Sequence, residues 1–176
     1  ASGFQAALRS SLPSGFGIET DVDQEDVIIC YREIRKLKEQ ISKPDFCEIY
    51  LNQSLFPRGY AWIFPEDETK VNVGLGVAML GKFPNPKKQL YEKVLSQPLF
   101  ANSSLVKSGG GLVPTRRPLD CMTGNGIVIV GDAACQVNPI HGGGMGPSMV
   151  GGVLAGDTII EAIEKSDVSQ KGLWLY

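Results

Sequence analysis

IVIVGDAACQVNPIHGGGMG, residues 127–146, packs a run of four apolar β-formers, a Gly-Asp pair, a glycine-rich loop and a helix start into twenty residues. Four consecutive β-branched residues read as a strand buried on both faces, the kind found in parallel sheets. Asp132 then stands at the carboxyl end of that strand, where a carboxylate can accept hydrogen bonds from vicinal hydroxyls. The helix that follows presents unsatisfied N–H groups and a partial positive charge to anionic oxygen. Gly142, Gly143 and Gly144 carry no Cβ, so a ligand could approach their main chain closely. This is a way to hold a polyhydroxylated phosphate ester. The same pattern also reads as a strand ending in a turn with glycines that build a loop, and spacing alone leaves both readings open.

Downstream, residues 145–165 are expected to be helical, with Met145, Met149, Val153, Gly156, Ile160 and Ile163 at helical spacing and Pro147 tolerable in the first turn. Gly146, Ser148, Gly151, Gly152, Ala155 and Gly156 sit in the same helix. An interior glycine costs roughly 1 kcal/mol relative to alanine, which calls for a close approach by backbone or ligand. Upstream, residues 27–37, 46–52, 60–64 and 70–79 read as successive strands separated by short turns, which predicts an antiparallel sheet. Pro86 opens a predicted helix over residues 87–97, with Leu90, Val94 and Leu95 as its apolar stripe. The fold class expected is α+β.

The 176 residues, 43% of them hydrophobic, suit one domain with a real core. Seventeen basic against nineteen acidic residues, net charge −2, argue against nucleic acid as a partner. Four cysteines without C-x-x-C spacing and a single histidine offer no zinc set and fit a reduced, cytoplasmic protein. No run approaches the roughly 20 apolar residues of a membrane-spanning helix, so membrane contact is expected to be peripheral. The N-terminus lacks the apolar stretch of a signal peptide and reads as a cut inside a longer protein.

GDAACQVNPIHGGGMGPSM resembles the second flavin-binding motif of the p-hydroxybenzoate hydroxylase superfamily, and GGGLVPTRRPL followed by GIVIVGDAA is similar to the stretch that leads into it. The resemblance implies FAD, with Asp132 on its ribityl or pyrophosphate region, Pro139 near the isoalloxazine and Gly142, Gly143 and Gly144 along the pyrimidine side. PRGYAWIFP, residues 57–65, matches P-x-x-Y-x-W-x-F-P of the geranylgeranyl reductase family at every specified position. Period-two spacing puts Tyr60, Trp62 and Phe64 on one strand face, an aromatic wall suited to a long unsaturated hydrocarbon. Read by alternation alone, the same three rings fit an ordinary sheet core more readily, and the flavin motif in the same chain turns the reading toward a substrate wall. In the family this segment lines the substrate tunnel beside the flavin.

Within the family the chain is most similar to archaeal digeranylgeranylglycerophospholipid reductases, through residues 56–76 and 109–176. That resemblance implies an FAD-dependent reductase of geranylgeranyl C=C bonds in lipid precursors, with ferredoxin or NAD(P)H as electron donor and a place at the inner membrane surface. Residues 1–20 are then a remnant of the FAD-binding domain, 21–108 the substrate-binding sheet domain, and 109–176 the C-terminal part of the FAD-binding domain. Two departures stand out. Ala1-Ser2-Gly3 occupies the place of Ala-Asp-Gly, and no G-x-G-x-x-G follows a strand, so the unit that holds the ADP half of FAD is expected to be missing. Exposure of residues 127–130 then predicts self-association. A flavin monooxygenase or halogenase of the same superfamily, and a cofactor-free module for apolar chains, are the alternatives.

The remaining chemistry-bearing residues carry weaker signals. No catalytic acid is identifiable; His141 reads as a loop-structuring residue more readily than as a general acid. Arg116 and Arg117 suit phosphate but also a solvated surface, and Cys47 and Cys135 could be redox-active or inert.

Overall fold

The computed structural model describes residues 3–4, 11–13, 15–18 and 22–176. It is an α+β protein that divides into two compact units. One comprises residues 27–112; the other comprises the described residues up to Asp26 together with 113–176.

In the first unit, β1 (Val27–Lys36), β2 (Glu48–Tyr50), β3 (Tyr60–Pro65), β4 (Lys70–Ala78) and β5 (Ser104–Pro114) form one sheet in the order β2-β3-β4-β1-β5. The β2/β3, β3/β4 and β4/β1 pairs are antiparallel, as the short turns between them require. Alternation assigns Ala61, Ile63, Val71, Val73, Leu75 and Val77 to the inner face, each at most 1% exposed. Burying each large one contributes about 1.5–3 kcal/mol. Helix α1 (Pro86–Gln89) is capped by the Asn85 side chain, which accepts from the Lys88 N–H. It runs directly into a π-helical turn, Leu90–Val94, in which the Leu95 N–H reaches back to the Leu90 carbonyl. Leu90 and Val94 from this turn complete the core.

The predicted strands at 27–37, 60–64 and 70–79 match β1, β3 and β4 to within a residue, and 46–52 shrinks to the three residues of β2. The predicted helix 87–97 keeps its apolar residues but not its α geometry. The strand β5, rich in glycine and largely exposed, had no hydrophobic alternation to announce it.

Inside this core one carboxylate is fully buried. Glu33 accepts from the hydroxyls of Tyr31 (3.0 Å) and Tyr91 (2.8 Å) and pairs with Arg35, whose guanidinium also donates to the Ser103 Oγ and carbonyl. Every partner it needs is present, which is the condition under which a buried charge is tolerated. The network ties β1, the π turn and the start of β5 together.

The second unit is built on a short hairpin, β6 (Thr123–Gly124) with β7 (Ile127–Val128), and on helix α2 (Met145–Glu164). Ile18, Ile129 and Ala134 form its small core with Leu12, Phe16 and Met122. The C-terminal segment returns to the hairpin: Val168 accepts from the Gly126 N–H, and the Gln170 amide donates to the Cys121 sulfur and the Thr123 carbonyl.

Two expectations are corrected here. Residues 127–130 are not a strand buried in a parallel sheet. Only Ile127 and Val128 are paired, antiparallel and half-buried, because among the described residues of this unit no other strand lies beside them. In α2 the large apolar stripe faces outward, with Met145, Met149, Val153, Ile160 and Ile163 all exposed, while the buried face is Gly151, Ala155, Thr158 and Ala162. Gly151 has its reason: a Cβ there would lie 2.4 Å from Gln136 Oε1. Gly146, Gly152 and Gly156 face open space.

This inversion is testable by chemical denaturation. Ala155→Leu, forced into the tight face, is expected to cost about 1–3 kcal/mol, whereas Met149→Gln and Ile160→Gln should stay within about 0.5 kcal/mol of the parent. Equal losses at all three positions would contradict the assignment of faces.

Candidate functional site: an aromatic wall and a Gly-Asp helix entrance

The outer face of the first unit's sheet follows from register. Tyr60 pairs with Gly76 and Gly76 with Cys30; Trp62 with Gly74 and Gly74 with Arg32; Phe64 with Asn72 and Asn72 with Ile34. Three rows therefore cross β3, β4 and β1, with aromatic rings on one side and glycine in the centre of two of them. The rings are in contact: Tyr60 and Trp62 meet edge to face at 5.9 Å between centroids, and Trp62 and Phe64 stack at 6.1 Å and 29°. The Trp62 indole N–H donates to Asn72 Oδ1 at 3.2 Å, which fixes the ring's orientation. All three rings are half-buried and none belongs to the hydrophobic core, which lies on the opposite face. Ile49, aligned with Trp62 on the neighbouring strand, extends the surface and is exposed.

The glycines of β4 are there because neighbours fill the space above them. A Cβ on Gly74 would lie 2.5 Å from the Trp62 ring and 2.8 Å from the Arg32 Cβ; on Gly76 it would meet Ile28 at 2.7 Å and the Cys30 sulfur at 2.9 Å. Sequence reading named the three rings but missed Cys30, Arg32, Asn72 and the two glycines. The signal was present: Gly-x-Gly inside a strand marks a close approach on one face.

Burial pushes the Cys30 thiol up to about 11, so it is protonated and inert at neutral pH. Burial, and then the neighbouring Cys30, raise the Tyr60 hydroxyl as well. Among the other cysteines, Cys47 is exposed and Cys135 is buried.

In the second unit, Gly131–Ala134 forms a short 3-10 turn directly after the hairpin, and its Cys135 end adopts a left-handed conformation (φ 56°). This turn brings the Asp132 carboxylate to the entrance of α2: the space a Cβ of Gly144 would need lies 3.1 Å from Asp132 Oδ1. No side chain caps α2. The loop before it is organised by Asn138, whose Oδ1 accepts from the Ile140 and His141 N–H groups and whose backbone bonds to Gly142 and Gly143. His141 Nδ1 accepts from the Gly143 N–H at 3.1 Å, so the imidazole structures the loop. Gly143 and Gly144 are needed by this packing, since a Cβ would strike His141 or crowd Asp132 and Val137; Gly142 has φ 69°. Pro139 is exposed.

Arg117 forms an exposed double-contact ion pair with Asp120, whose carboxyl is held below its usual range by that hydrogen bond. A pocket of about 550 Å³ lies beside the α2 entrance, lined by Pro118, Gln136, Val137, Pro147, Leu154 and Tyr176 among others. A carboxylate that can accept from hydroxyls, beside an uncapped helix N-terminus whose N–H groups can donate to phosphate, with open space at Gly146, fits the chemistry of FAD.

The fold is shared with a triple mutant of the flavin-dependent brominase Bmp2, 17% identical, which matches 84% of this chain with a TM-score of 0.62. A crystal structure described as geranylgeranyl bacteriochlorophyll reductase-like, from Thermoplasma acidophilum, is 27% identical, with a TM-score of 0.84 over 98% of this chain and 42% of its own. The family model described as geranylgeranyl reductase catalytic domain matches residues 26–113, and the chain belongs to that family. Among curated relatives, the digeranylgeranylglycerophospholipid reductase of Sulfolobus acidocaldarius is 42% identical over 99% of this chain, and that of Methanosarcina acetivorans 36% identical over 94%. The chain spans about two fifths of the length of these relatives, 39% and 40% respectively. Among the described residues no helix is long and apolar enough to cross a membrane.

The raised thiol makes stability depend on pH with a definite sign. Below 9.0, the ordinary value for the thiol, folded and unfolded states are both protonated and the full contribution is present; between about 9 and 11 only the unfolded state ionises and the contribution is lost. The loss should approach about 3 kcal/mol. The parent should show this loss and Cys30→Ala should lack most of it, and at pH 8 iodoacetamide should modify Cys47 while sparing Cys30.

Proposed function

We propose that this chain supplies the substrate-binding sheet and the C-terminal part of the flavin site of a reductase that saturates geranylgeranyl C=C bonds of glycerophospholipid precursors. In this reading residues 21–108 take the prenyl chain, and residues 1–20 and 109–176 belong to the FAD-binding domain. The observation that carries it is the Tyr60–Trp62–Phe64 wall, set on the sheet face that the core does not use and held over a glycine floor. A contiguous aromatic surface off the core, on a chain with a hydrophobic interior of its own, points to an apolar ligand. The names of the curated relatives supply the substrate class.

Bound and reduced, FAD would supply hydride to one carbon of the alkene, with a proton reaching the other. The residues of this chain do the rest by position. Tyr60, Trp62 and Phe64 give the flexible prenyl chain a flat, rigid surface, which lowers the entropy cost of aligning a double bond and excludes water from it. Asn72 holds the Trp62 N–H, and the ring fills the space that the missing side chain of Gly74 leaves. Asp132 and the entrance to α2, with Pro139, Gly142, Gly143 and Gly144 forming the adjoining loop, would hold the ribityl and pyrophosphate part of the cofactor. Ferredoxin or NAD(P)H is the electron source in this reading, and contact with a membrane surface is where the lipid would be met.

The protein that carries this chain, assayed anaerobically with FAD and dithionite on geranylgeranylated glycerophospholipid, should add two mass units per double bond. Trp62→Ala should lower kcat/KM by about 10²-fold. Oxygen-dependent hydroxylation or halogenation without alkene reduction would favour a flavin monooxygenase or halogenase instead. A chain that stays colourless after FAD addition yet binds geranylgeraniol would be a binding module.

A further inference from the structure

Arg32 sits in the middle of β1, on the same outer face as the aromatic wall and in the same cross-strand row as Trp62 and Gly74. It is half-buried, and its Nη1 is shut off from solvent without a hydrogen-bond partner; among the described residues no salt bridge engages it. The contrast with Arg35 is instructive. Three residues along the same strand, on the inner face, that guanidinium is fully engaged by Glu33 and Ser103. Of two arginines on one strand, the inner one has its counter-charge built in and the outer one does not. A permanently charged group with a desolvated, unpaired nitrogen is costly to keep unless something anionic arrives to pair with it. Guanidinium is also the group best shaped for two parallel hydrogen bonds to a phosphate.

We propose that Arg32 is the anchor for the phosphate of the prenyl lipid, so that the outer face recognises an amphipathic anion: hydrocarbon on the β3 wall and phosphate on β1. The choice of phosphate rests on the substrate reading given above; the anion site itself rests on the unpaired guanidinium. The two strands are separated only by β4, about 10 Å centre to centre across two strand spacings. Over Gly74, between them, the Trp62 ring and the Arg32 stem close on each other, so wall and guanidinium form one continuous surface. In this arrangement Arg32 sets specificity for phosphorylated over neutral prenyl compounds and fixes how far along the wall the chain lies.

The test uses this chain with Trp174→Phe, which leaves Trp62 as its sole tryptophan, titrated by fluorescence with geranylgeranyl monophosphate, geranylgeraniol and inorganic phosphate. The parent should prefer the phosphate ester over the alcohol by roughly tenfold or more. Arg32→Met should bind both alike at the alcohol's affinity, and Arg32→Lys should recover part of the preference. Without ligand, Arg32→Met should unfold at a higher temperature than the parent, since an unpaired charge has been replaced by an apolar side chain of similar length; a lower midpoint would mean that the protein itself satisfies the guanidinium, and would overturn the proposal. Equal affinity of the parent for ester and alcohol, or an undiminished preference in Arg32→Met, also overturns it while leaving the prenyl-binding reading intact. Arg32-dependent binding of inorganic phosphate and the ester without any binding of geranylgeraniol upholds the anion site and rejects the prenyl reading. Failure of all three probes to bind rejects both.

Discussion

Gly74 and Gly76 order the outer face of the sheet through what they leave out. With no side chain on the central strand, Trp62 can lean in from β3 while Arg32, Ile28 and Cys30 close in from β1, and the distances allow no Cβ at either position. The same constraint reaches Gly59, where a Cβ would lie 2.0 Å from the Gly76 carbonyl oxygen, so the turn entering β3 is also pinned to this strand. The ring stack, the Trp62–Asn72 hydrogen bond and the raised Cys30 thiol all follow from that crowding.

The two faces of this sheet treat polarity in opposite ways. Inside, Glu33 is buried with both carboxylate oxygens bonded, so a charge serves as a structural tie between strand, helix and loop. Outside, Arg32 has a buried nitrogen with nothing to bond. Of the buried side-chain polar atoms without a partner among the described residues, which also include Gln89 Oε1 and Thr123 Oγ1, Arg32 Nη1 is the one that carries a charge and lies two strands from the aromatic wall, where the proposed anion would pair with it.

In the second unit the balance between large and small residues is inverted in a similar sense. Helix α2 buries Gly151, Ala155, Thr158 and Ala162, with Gln136 too close to Gly151 for any side chain there, and it turns its methionines and isoleucines outward. The tight side is the one that brings Asp132 to the helix entrance, and Asn138 and His141 complete the loop by bonding to backbone N–H groups.

Period-two alternation was enough to place β1, β3 and β4 and to set Tyr60, Trp62 and Phe64 on a common face, since side-chain direction along a strand is fixed by the backbone itself. Gly-Asp followed by a glycine-rich loop and a helix was likewise legible, because backbone chemistry dictates which residues end a strand and open a helix. Register was not. Only the pairing of β4 with both neighbours revealed that Gly74 lies between Trp62 and Arg32, that Cys30 stands beside Tyr60, and that the wall turns away from the core. The orientation of α2 and the loss of parallel pairing at 127–130 escaped for the same reason: hydrophobicity marks which residues could be buried, while the partners available in three dimensions decide which ones are.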